Sequence, residues 1–185
     1  MSTKQYTFGE TALLTPANLL TAFRLVVTPI FIWLIVSRGA SWWTAGVGLV
    51  AAASDFFDGI VARRQGPTTS GAFLDPLADK IVVLGSLYTL VATGRMSIVP
   101  VLIITAREAW MTWYRSRASR DGISIPARQL PKIKTMVQDF AIAFCVIPVT
   151  ASLKWLQVAT IWTAVVLTIY TGFQYYWDGT HPVPA

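Results

Sequence analysis

Four aspartates stand close together in a chain that is otherwise strongly apolar. Asp55 and Asp58 lie in Ser54-Asp55-Phe56-Phe57-Asp58-Gly59-Ile60-Val61-Ala62-Arg63, and Asp75 and Asp79 in Gly71-Ala72-Phe73-Leu74-Asp75-Pro76-Leu77-Ala78-Asp79-Lys80. The chain has nine acidic residues in all, so nearly half fall in this stretch. Spacings of three and four predict that each pair shares one face of a helix. An antiparallel turn between two such helices would point both pairs into one space. Two carboxylates ~5 Å apart repel by roughly 3 kcal/mol at an effective dielectric near ~20. Four together call for a divalent cation, and an all-oxygen donor set suits Mg²⁺ or Mn²⁺. Gly59 and Gly71 would let a bulky ligand approach the backbone. Arg63, one turn beyond Gly59, could meet a phosphate. The residue types together describe a pyrophosphate-binding pocket. Surface pairing with Arg63, Arg64 and Lys80 would explain one aspartate well, and four in two helical pairs poorly.

Helices must position these residues, and the composition says where those helices run. Of 185 residues, 54% are hydrophobic and 13% charged, with a mean hydropathy of +0.54. A soluble domain of this size would need more charge on its surface. Runs near the ~20 residues that cross a bilayer recur along the chain. The expected fold is an all-α integral membrane protein with six spans, at 17–37, 41–62, 72–93, 97–118, 132–150 and 154–176, forming a single domain over residues 1–185. Residues 8–15 are expected as a short interfacial helix. Alternation over ~10-residue strands is missing, which argues against a barrel. The first hydrophobic segment is full length and carries Arg24, so it reads as a retained span rather than a cleaved signal.

The net charge of +6 comes from cations that flank the spans, which suits membrane orientation rather than nucleic acid. Lys4, Arg63, Arg64, Arg115, Arg117, Arg120, Arg128, Lys132 and Lys134 fall on one side, against Arg38, Arg95 and Lys154 on the other. This places both termini and the aspartates on the cytoplasmic side of a bacterial membrane. Trp42, Trp43, Trp155, Tyr175, Tyr176 and Trp177 sit near span ends, where amphipathic rings favour the interface. The lone Cys145 excludes an internal disulfide and reads as a small buried hydrophobe.

The pattern D-x-x-D-G-x-x-A-R followed by G-x-x-x-D-x-x-x-D resembles the signature of the CDP-alcohol phosphatidyltransferases, and the similarity extends over essentially the whole chain. Seven residues separate Arg63 from Gly71, one fewer than the family pattern has there. The resemblance implies that Asp55, Asp58 and Asp75 bind a pair of metal ions, with Asp79 near the second ion and acting as the general base. It implies that Gly59, Arg63 and Thr68 hold the CDP moiety, and that the enzyme is a homodimer. Two metal ions could clamp a pyrophosphate while a carboxylate takes the proton of the attacking hydroxyl.

The acceptor is read from other elements. Thr15-Pro16-Ala17-Asn18-Leu19-Leu20-Thr21-Ala22-Phe23-Arg24 is similar to the opening of the phosphatidylglycerophosphate synthase branch of this family. There the segment lines the nucleotide pocket, which makes Asn18 and Thr21 candidate CDP contacts; Asn18 could equally be a plain N-cap. Arg24, within a span, must find a partner or snorkel, and structural pairing is its expected role. Arg107-Glu108 with Arg115, and Lys132-Ile133-Lys134-Thr135-Met136-Val137-Gln138, resemble the R-E…R and K-x-K-T-x-x-Q elements of the same branch. Arg107, Arg115, Lys132 and Lys134 would converge on the phosphate of a small phosphorylated alcohol. Neither Glu108 nor Asp139 has a partner assignable from sequence.

The expected reaction is transfer of a phosphatidyl group from CDP-diacylglycerol to sn-glycerol 3-phosphate, giving phosphatidylglycerophosphate and CMP. Inositol phosphate or phosphatidylglycerol as acceptor is the nearest rival. A divalent-cation transporter is the rival from another class, but such sites sit near the midplane at broken helices.

Overall fold

The computed structural model describes the backbone of residues 16–65, 69–120 and 130–180; side chains are described for residues 16, 18–54, 77–114, 116–117, 133–174, 176 and 177. The described residues form helices without strands: α1 Pro16–Ser37, α2 Trp42–Gln65, α3 Thr69–Ala92, α4 Ile98–Arg120, α5 Leu130–Val146 and α6 Lys154–Thr180. The expected interfacial helix at 8–15 lies outside the described residues.

Local chemistry explains the helix ends. Ser41 caps α2, its hydroxyl accepting from the Thr44 N–H at 3.1 Å. Gly94 ends α3 at φ +69. Its N–H donates to the Val91 carbonyl (2.9 Å) and the Arg95 N–H to the Leu90 carbonyl (2.8 Å), the paired bonds of a left-handed helix stop. Helix α5 stops at Val146, short of the expected 150. Pro148 has no N–H and disfavours helical geometry at Ile147. Gln157 Nε2 of the next helix donates to the freed Phe144 carbonyl at 3.2 Å and to the Thr150 and Ala151 oxygens of the turn at 3.4 and 2.9 Å. Asn18 lies inside the first turn of α1, which begins at Pro16, so it is not the N-cap.

The helices pack as two groups. Helix α1 packs along α2 and α3, and α6 lies along α5 and α4; fewer contacts, α2 and α3 to α5 and α3 to α4, join the groups. Phe31, Ile35, Leu87, Leu90, Val101, Ile104, Ile142, Ile161 and Val165 form a core between them. Trp33, Val36, Leu49, Val166 and Phe173 face outward instead. Outward faces of this kind are those of a membrane protein. Asn18–Ser37 and Lys154–Gln174 are long and apolar enough to cross a bilayer, with mean hydropathies of 2.2 and 1.5. Among the described residues, these two helices meet that measure.

Candidate active site

A cavity of about 540 Å³ opens at the seam between α1, α2, α3 and α5. Arg24, Asp79, Ser86, Thr135 and Asp139 supply its polar lining, and the remainder, including Phe31, Leu49, Val83, Phe140 and Ile147, is almost wholly apolar. Space along α2 comes from small residues. At Gly48 a Cβ would stand 2.9 Å from the Phe31 ring, while Gly46 faces open space. A long apolar cleft with charged groups in its wall suits an amphiphile with a charged head.

Asp79 is held from α1. Arg24 Nη1 donates to Asp79 Oδ1 at 2.5 Å; the arginine side chain is 2% exposed and the aspartate 44%. A guanidinium buried in an apolar wall needs such a counter-charge. Above it Thr28 turns its hydroxyl back to the Arg24 carbonyl at 2.7 Å, next to Pro29, which removes a backbone donor from α1. The partner expected for Arg24 is therefore the same residue proposed as the base. Only the burial cost of an intramembrane arginine could have signalled the pair, since the two lie 55 residues apart.

A second polar cluster joins α4, α5 and α6. Glu108 Oε1 accepts from Arg107 Nη1 at 3.1 Å and from Lys134 Nζ. Arg107 Nη2 also donates to Thr171 Oγ1 at 3.0 Å. Gly172 makes room for this arginine, since a Cβ there would stand 3.2 Å from Arg107 Nε. All three charged side chains are largely buried. From α3, Lys80 Nζ bonds Thr112 Oγ1, and Thr112 in turn bonds the Glu108 carbonyl at 2.7 Å. Asp79 and its neighbour Lys80 thus link the cavity to this cluster. Further along, Gln138 Nε2 donates to Thr168 Oγ1 at 3.3 Å.

The structure brings together Arg107 and Lys134 of the expected acceptor set, through Glu108. Asn18 and Thr21 are both buried on α1. Asp55, Asp58, Gly59 and Arg63 fall on α2, Asp75 on α3, Arg115 on α4 and Lys132 on α5. Their side chains, and Thr68 altogether, lie outside the described residues. Among the described residues, no group of three or more acidic, His or Cys side chains stands together. Asp79 is the member of the aspartate set whose side chain is described. The set is carboxylate throughout, a hard-oxygen donor chemistry that fits Mg²⁺ or Mn²⁺. Lys80, Glu108, Thr135 and Asp139 are residues that sequence reasoning left without a part in the site.

Comparison with known proteins identifies the family. A family model described as CDP-alcohol phosphatidyltransferase matches residues 14–170. A probable phosphatidylglycerophosphate synthase of Mycobacterium tuberculosis (strain CDC 1551 / Oshkosh) is 34% identical over 173 residues, covering 90% of this chain and 82% of that protein. A CDP-diacylglycerol--glycerol-3-phosphate 3-phosphatidyltransferase of Rickettsia typhi is 33% identical over 166 residues, covering 86% and 93%. One of the same name from Shigella flexneri serotype 5b is 31% identical over 171 residues, covering 85% and 91%. With a match of that extent and relatives of that identity, the chain is a transferase and belongs to the CDP-alcohol phosphatidyltransferase family.

Proposed function

We propose that the chain transfers a phosphatidyl group from CDP-diacylglycerol to sn-glycerol 3-phosphate, releasing CMP and forming phosphatidylglycerophosphate. One observation carries this reading: Asp79 stands in the wall of an apolar cavity, and the adjacent Lys80 reaches toward the Arg107–Glu108–Lys134 cluster. A base between an apolar cleft and a cationic cluster matches a lipid donor and a phosphorylated acceptor. The names of the Rickettsia and Shigella relatives support the same pair of substrates.

In this reading the acyl chains occupy the cavity between α2 and α5, and Asn18, Thr21, Gly59, Arg63 and Thr68 hold the CDP moiety. Arg107, Arg115, Lys132 and Lys134 hold the acceptor's phosphate by charge-assisted hydrogen bonds. The acceptor's hydroxyl oxygen attacks the β-phosphorus, its proton passes to the Asp79 carboxylate, and the bridging oxygen leaves with CMP. Arg24 orients the Asp79 carboxylate for that proton. Asp55, Asp58, Asp75 and Asp79 would hold two divalent ions, which when bound neutralise the pyrophosphate and the departing CMP. The chain crosses the membrane six times, with both termini and the site on the cytoplasmic side, and works as a homodimer. This orientation gives one substrate access from the bilayer and the other from water.

The test is an acceptor panel. Purified protein with CDP-diacylglycerol and Mg²⁺ or Mn²⁺ is offered glycerol 3-phosphate, inositol phosphate or phosphatidylglycerol. Phosphatidylglycerophosphate formed in step with CMP is the expected result. Turnover with another acceptor alone would reassign the substrate, and metal flux into proteoliposomes without CMP release would favour the transporter.

A further inference from the structure

We infer that Glu108 is a positioning residue for the acceptor's phosphate, fixing Lys134 and Arg107 as a preformed site for a phosphate monoester dianion. The inference rests on the proposed reading of the cluster and adds a residue to it.

An acid inside an anion site is at first sight a defect, because it repels the ligand. The geometry gives it another use. Glu108 Oε1 receives both Arg107 Nη1 and Lys134 Nζ, so one oxygen bridges cations from α4 and α5. Lys80 of α3 reaches the same turn of α4, bonding Thr112 Oγ1, whose hydroxyl donates to the Glu108 carbonyl. Three cations around one acid leave an excess of two positive charges. A phosphate monoester carries about −1.5 to −2 near pH 7 and would balance it. Phosphatidylglycerol, a phosphodiester with a single charge, would not.

The carboxylate also settles where the cations stand. Lysine is a flexible point charge, and ordering its stem on binding would cost conformational entropy. Glu108 orders it beforehand while engaging one of the three ammonium donors. Arg107 is clamped twice, by Glu108 and by Thr171, and its buried Nε has no hydrogen-bond partner. Without the acid, two largely buried cations would face each other and move apart.

The experiment compares wild type, Glu108→Gln and Glu108→Asp in steady-state kinetics, with inorganic phosphate as a competing probe. Loss of one charged hydrogen-bond bridge should raise the KM for glycerol 3-phosphate about tenfold in Glu108→Gln. The inhibition constant for inorganic phosphate should rise by the same factor. The kcat and the KM for CDP-diacylglycerol should stay within about twofold, since neither depends on that bridge. Glu108→Asp keeps the charge on a shorter arm and should fall between the two; it also carries the test if the glutamine variant does not fold. An unchanged or lower acceptor KM overturns the inference, and so does a fall in kcat as large as the rise in KM. Phosphate binding to the donor-free protein, followed by calorimetry, separates the two failures. If wild type ignores glycerol 3-phosphate yet Glu108→Gln weakens phosphate binding, the acceptor reading fails and the role of Glu108 stands. If phosphate binds all three proteins alike, the role of Glu108 fails.

Discussion

Removing either partner of the Arg24–Asp79 pair should have unequal effects, because one is buried and the other is not. Arg24 is 2% exposed and Asp79 44%, with Nη1 and Oδ1 2.5 Å apart. With charge centres ~4 Å apart, an effective dielectric of about 20 gives ~4 kcal/mol. Solvent around the half-exposed carboxylate should cut this to roughly 2 kcal/mol. Asp79→Asn leaves the guanidinium buried with a neutral acceptor and should lose about that much stability. Arg24→Met leaves a carboxylate that water can reach and should lose about half as much. The double variant should then resemble Arg24→Met alone, a coupling of roughly 1–2 kcal/mol. In a chain of this length, 2 kcal/mol corresponds to a fall in Tm of about 4–8 °C. The assay is thermal unfolding of the purified proteins in one detergent with a chelator present, so that metal binding does not contribute. Losses that add to within about 0.3 kcal/mol would refute the pair as a determinant of this site.

Three further outcomes follow from single residues. Gly46→Phe should fill the cavity without a backbone clash, raising the KM for long-chain CDP-diacylglycerol about tenfold while sparing Tm; activity assays with short- and long-chain donors check it. Gly39→Ala should lower Tm, because φ is +64 there and a Cβ would stand 1.8 Å from Arg95 Nη2. Adding Arg95→Ala should recover the steric part and leave the left-handed strain of about 1 kcal/mol, measured by the same unfolding assay. Gln157→Leu should cost about 1–3 kcal/mol, since the Phe144 carbonyl of α5 and the Thr150 and Ala151 carbonyls of the following turn lose their shared donor; denaturation midpoints report it.

The helices were legible because long apolar runs separated by Gly, Pro and charged breaks leave few other folds in a membrane. The end of α5 was not, because the apolar run continues past Pro148 and only the missing N–H stops the helix. Asn18 illustrates the same limit at the other end: its side chain is a good cap, yet Pro16 already opens α1. Glu108 was legible as an acid needing a partner, and Arg107 beside it was a natural candidate. Lys134 was not assignable, since a contact between α4 and α5 depends on how α6, packed along both, sets their faces against each other. Asp79 could be read as chemically important from its spacing, but not as the partner of Arg24. The motif specifies spacing along α3 and carries no information about which face of α1 lies against it.

If Asp79 takes the acceptor's proton during transfer from CDP-diacylglycerol, its carboxylate is required for turnover and not for donor binding. The direct measurement is phosphatidylglycerophosphate formation by wild type and Asp79→Asn, made alongside CDP-diacylglycerol binding to each. The variant should still bind the lipid donor and lose at least ~10²-fold in kcat. Turnover by Asp79→Asn at the wild-type rate would contradict it.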